Sequence, residues 1–122
     1  IMKKENLNLG IEVGQTLDAE KAVCRNFDIN ENFMFIKRHG VLPMSWGLHA
    51  PKIIVKDKCY RFAVDGHHHK GHVYIVLNFM DTFDIYLTTM KGTIIKVLNG
   101  IYIDQLVEVI DINVEKIADY TF

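Results

Sequence analysis

The strongest constraint on this chain is a change of hydrophobic period near residue 100. From residue 52 the apolar residues come in short β-rich runs, "KIIV", "CYRFAV", "HVYIVLNFM", "FDIYLTTM" and "TIIKVL", separated by polar turns. Beyond residue 100, Ile103, Leu106, Val107, Ile110, Val114, Ile117 and Ala118 recur at i, i+3, i+4, i+7 spacing. Glu108, Asp111, Glu115, Lys116 and Asp119 lie largely off that stripe, and Asp104 suits the positive end of the helix dipole. Neither a sheet nor an amphipathic helix buries its apolar side alone, so each needs the other. The pattern predicts an α+β fold: an antiparallel β-meander sheet packed by a C-terminal amphipathic helix, with a short N-terminal helix.

The turns are read from the same runs. "KDK" between the first two predicts a hairpin, Lys91-Gly92 a tight turn, and Asn99-Gly100 a stronger one. "HVYIVLNFM" is apolar on both parities, as expected of a central strand. Toward the N-terminus, Leu7, Leu9, Ile11 and Val13 alternate as a strand would, up to Gly14. Asp18 stands as an N-cap for a short helix over "DAEKAVCRNF", residues 18–27. "NFMFIKR", residues 32–38, reads as a further strand broken at Gly40, and "PMSWGLHAP" between Pro43 and Pro51 as a loop or edge crossing.

A chain of 122 residues matches one domain, taken here as residues 1–122. Hydrophobic residues at 49% and charged ones at 24% argue against wholesale disorder. A net charge of -1 gives no electrostatic warrant for a general nucleic-acid binder. Cys24 and Cys59 are too few for a disulfide framework and point to free thiols in a reducing compartment. With no signal-like start and no apolar run near the ~20 residues a bilayer span needs, the expectation is a cytoplasmic protein with no membrane partner.

The loudest local feature is "GHHHKGH", which holds His67, His68, His69 and His72. Imidazole is the commonest metal ligand, and zinc would be the first metal to consider for His67, His69 and His72. Their spacing resembles the H-x-H-x-D-H motif of the metallo-β-lactamase fold. Gly71 occupies the aspartate position, however, and no histidine follows His72 to complete the set. A generic site drawing on His39, His49, Asp65 or Cys59 stays open beside the simpler reading of a polar, histidine-rich hairpin loop.

Other chemistry is sparse. Ser45 is the only serine, and "MSWG" is not a nucleophile elbow. Asp57, Asp65, Asp81 and Asp84 sit where turns favour aspartate. Trp46, in the proline-bounded loop, is either an exposed aromatic anchor of the kind interfaces use or a ring folded onto the core. A double-stranded-RNA domain fails on charge, because Ile103-Asp104-Gln105 opens the last helix where that family needs basic residues.

"HHHKGHVYIVLNFMDTFDIYLTT" followed by "GIYIDQLVEVID" resembles a group of small hypothetical proteins of bacteria and their phages or mobile elements. Gly71, Asp81, Asp84, Tyr86, Tyr102, Asp104 and Leu106 carry the likeness. The resemblance implies a genomic context and no activity, and small proteins of this kind are more often binders or regulators than enzymes.

The sequence therefore predicts a non-catalytic interaction or regulatory module, binding another protein or itself through Trp46 and the loop of His67, His68, His69 and His72. An exposed edge strand is a natural place for self-pairing. Two alternatives compete with it: a metal-dependent hydrolase or nuclease built on the histidine cluster, and single-stranded nucleic-acid binding with Tyr60, Phe62, Tyr74 and Tyr86 as stacking platforms.

Overall fold

A computed structural model of the chain describes residues 12–18 and 24–116. Five strands form an open antiparallel sheet in which every strand pairs with its neighbour along the chain. They are β1 (His49–Val55), β2 (Cys59–Asp65), β3 (Lys70–Leu77), β4 (Phe83–Thr88) and β5 (Ile94–Ile101). The hairpin around "KDK" and the central "HVYIVL" strand lie where the hydrophobic pattern put them. A 3-10 turn at Ile103–Gln105 leads into α3 (Leu106–Val114), the predicted C-terminal helix.

The short helix on the N-terminal side is α1 (Ile29–Lys37), followed by a five-residue α2 (Val41–Ser45). The predicted strand over residues 32–38 is therefore a helix. Asp28 decides this: its carboxylate accepts from the Glu31 backbone N–H at 3.0 Å and caps α1. Ile29, Asn32, Phe33 and Ile36 then fall on one inward face at helical spacing. The predicted strand Leu7–Val13 and the helix over residues 18–27 lie mostly outside the described residues. Of their described parts, Val13 stands in a turn and Arg25 bridges to Leu77.

Asn99-Gly100 is not the turn the sequence suggested. Both residues lie inside β5, at a register irregularity against Phe83 and Ile85. Gly100 has φ 72, and its N–H leaves the ladder to donate to the Asp84 carboxylate at 3.0 Å. The strand bulges and continues to Ile101.

Strand alternation sorts side chains onto two faces. Tyr60, Phe62, Val64, Val73, Ile75, Phe83, Ile85 and Leu87 pack under Ile29, Ile36, Trp46, Leu106, Val107, Ile110 and Val114 from the helical side. At about 1.5–3 kcal/mol for each large side chain fully buried, this layer is the main source of stability. The opposite face carries Cys59, Tyr74, Val76 and Tyr86, with Cys24, Leu17 and Ile94 packed against them. Residues 14–17 run beside the outer edge of β5, where Gly14 and Ile94 each donate a backbone N–H across the pair. No helix among the described residues is long and apolar enough to cross a membrane.

Candidate functional site

The histidine loop joins β2 to β3 and lies against the C-terminal end of α3. The His68 backbone N–H donates to the Val114 carbonyl at 2.8 Å, and the His68 ring Nε2 reaches the Lys116 carbonyl. The His67 N–H donates to the Glu115 carboxylate at 2.8 Å. Gly66 permits this approach, because a Cβ there would collide with the Val114 carbonyl. The His68 N–H satisfies one of the carbonyls that a helix end leaves unpaired, at the negative end of its dipole. The loop thus caps α3.

The imidazoles point to different surroundings. His67 and His68 are exposed; His69 is buried, with its Nε2 3.3 Å from the His72 carbonyl; His72 belongs to the sheet face away from the helices. Among the described residues no group of three His, Cys, Asp or Glu side chains is arranged to hold a metal ion. The zinc set of His67, His69 and His72 is therefore not brought together. Sequence proximity misleads here because successive loop residues face opposite ways.

Trp46 is not a surface anchor. It is 0% exposed, its indole stacks on Phe62 at 11° with centroids 6.3 Å apart, and its Nε1–H donates to Asp111 at 2.9 Å. The rings proposed as stacking platforms are also enclosed. Tyr60 and Phe62 lie under the helices, and Tyr74 and Tyr86 are buried on the other face.

The two thiols and the Ser45 hydroxyl are engaged within the fold. Burial pushes the Cys59 thiol up to about 12 and also raises Cys24, which keeps both protonated at neutral pH. The Ser45 hydroxyl donates to the Leu42 carbonyl at 2.7 Å.

What the structure does bring together is a groove along α1. Asp28, Glu31, Asn32, Phe35 and Arg38 follow one another down a single side of the helix, and Phe27, Phe83 and Ile103 complete a cavity of about 300 Å³. Asn32 is fixed at its base by the Tyr60 hydroxyl, which donates to the Asn32 carbonyl oxygen. Met34, Tyr102 and Ile103 add exposed apolar surface nearby. The misread helix hid this stripe: as a strand, residues 32–38 place Phe35 and Arg38 on opposite faces. Asp28 followed three residues later by Glu31 was the missed signal.

Comparison with family models, with curated proteins and with solved structures gives no match. The chemistry of the groove and of the sheet is what a functional reading has to work with.

Proposed function

We propose that this protein is a non-catalytic interaction module that pairs with a second copy of itself through the α1 groove. The observation that carries the reading is the order of charge along the groove: Asp28 and Glu31 at one end, Arg38 at the other, with Phe35 between them and Phe27, Phe83 and Ile103 lining the rest of the cavity. Asp28 and Arg38 lie about 15 Å apart at 1.5 Å per residue. Two such stripes related by a two-fold axis run antiparallel, so each Arg38 meets the acidic end of its partner. The apolar middle supplies area, and the charges fix the register. Protonated, buried thiols and a serine bonded to its own helix favour binding over catalysis. Kinship with small bacterial and phage proteins belongs to the same proposal.

Sedimentation equilibrium on four proteins tests it: the natural chain, Arg38→Glu, Glu31→Arg and the double variant. Each single reversal replaces two symmetry-related attractions by repulsions. At about 0.2–1 kcal/mol per exposed pair, that weakens the dimer by roughly tenfold. The double variant should recover association. A natural chain that stays monomeric, or a double variant as weak as its parents, overturns the pairing.

A further inference from the structure

On the sheet face away from the helices, Lys52 of β1 stands directly opposite Arg61 of β2. Like charges in that position destabilise a strand pair, by up to about 1 kcal/mol. One step along, His49 of β1 and His72 of β3 flank Ala63 of β2 from either side. His49 and Lys52 are three positions apart, yet they oppose residues of the same parity. The irregularity at Ala50 and Pro51, with Ala50 at φ 52, turns both toward this face. A non-glycine residue held at positive φ is the kind of strain that accumulates where a side chain must be placed.

Among the described residues no carboxylate forms an ion pair with any of the four groups; Asp81 pairs with Arg25 and Asp65 with Lys70. Arg61 is fixed by Tyr74: one terminal nitrogen donates to the Tyr74 hydroxyl at 2.9 Å, and the guanidinium carbon lies 5.7 Å from the ring centroid. Its Nε is buried without a hydrogen-bond partner, and so is Nδ1 of His72, a residue 7% exposed. Leaving a buried donor unmade costs about 1–3 kcal/mol, and more on a charged group. Two buried nitrogens without partners lie beside the lysine–arginine opposition.

We propose that His49, Lys52, Arg61 and His72 bind a phosphate group on the outer face of the β1–β2–β3 sheet. Lys52 and Arg61 supply two fixed positive charges, which suit a dianion better than a single carboxylate charge. Exposed Lys52 and His49 mark the open side, and an anion drawn in between them would give the enclosed Arg61 Nε and His72 Nδ1 the acceptor they lack. The site is independent of the α1 groove, which lies on the helical side of the sheet.

The test is an NMR titration of the histidine ring protons with inorganic phosphate, with glycerol 3-phosphate and acetate as parallel arms. Either phosphate source should shift His72 and His49 selectively while His39 and His67 stay in place; tighter binding of the ester would identify an esterified ligand and of the free ion an inorganic one. Arg61→Gln should weaken binding at least tenfold. Lys52→Gln, on an exposed edge strand where folding is not at risk, should weaken it several-fold. Arg38→Glu in the α1 groove should bind phosphate normally. Equal response of all histidines, equal affinity for acetate, or unchanged phosphate binding in Lys52→Gln overturns the site.

Discussion

Trp46 and Asp111 stand 65 positions apart in the chain, and the indole N–H of one donates to the buried carboxylate of the other at 2.9 Å. The bond ties the segment after α2 to the middle of α3 across the top of the core. Trp46→Phe keeps an aromatic ring but leaves the Asp111 charge buried without this donor. Removing one partner of such a pair costs more than the bond contributes, so a loss of about 2–4 kcal/mol is expected. Asp111→Asn retains an acceptor oxygen and should cost less. Urea unfolding checks this through the midpoint, with an unchanged slope if both variants keep the native core.

The histidine loop should behave as a helix cap. His68→Ala keeps the backbone N–H that bonds Val114 but removes the ring that reaches the Lys116 carbonyl, and should cost about 0.5–1.5 kcal/mol, the net value of one hydrogen bond. His67→Ala keeps the backbone N–H that bonds Glu115 and should stay within about 0.5 kcal/mol of the natural chain. Thermal unfolding separates the two. Repeating it with zinc tests for a hidden site, because a metal at 100 times its Kd would stabilise by about 2.7 kcal/mol.

Acidification should act through His69 and His72. Burial lowers the pKa of both; Arg61, His49 and His69 lower His72 further. A base whose folded pKa is depressed binds fewer protons in the native state than when unfolded, so its stabilising effect is present above about 6.5 and lost as pH falls. Asp84 works in the opposite sense: burial raises its pKa, so its contribution grows as pH falls toward the unfolded carboxylate value. Stability should therefore decline as pH drops below about 6.5 and level off in the carboxylate range. His72→Gln should flatten the first part of that curve. A chain equally stable at neutral pH and just below the histidine range would refute the assignment.

Both thiols should be shielded from attack. Cys24 and Cys59 are buried and held protonated, so a thiol-specific reagent at neutral pH should modify them only as fast as the chain opens. Rapid labelling of either residue in the folded protein would contradict the packing of the face they share with Tyr86.

Most of the sheet was legible because alternation and polar turns repeat several times between residues 52 and 98. Two local readings failed for different reasons. Residues 32–38 contain enough phenylalanine and isoleucine to satisfy either period, and only the Asp28 cap decides between them. Asn99-Gly100 carries a turn's chemistry, but the Asp84 carboxylate takes the Gly100 N–H and β5 runs on. The sites were less visible. Trp46 and the histidines are conspicuous by type, while their direction depends on packing. The Lys52–Arg61 opposition depends on a register shifted by the irregularity at Ala50 and Pro51, which no count along the "KDK" hairpin would give.

That irregularity also governs how the molecule meets its own kind. β1 is a margin of the sheet, yet Pro51 has no N–H to offer, the backbone twists away at Ala50, and Lys52 confronts any incoming chain. The far margin is partly occupied where residues 14–17 follow β5. Ribbon-on-ribbon growth is blocked at one rim and obstructed at the other. Concentrated solutions should accordingly remain clear instead of thickening into fibres.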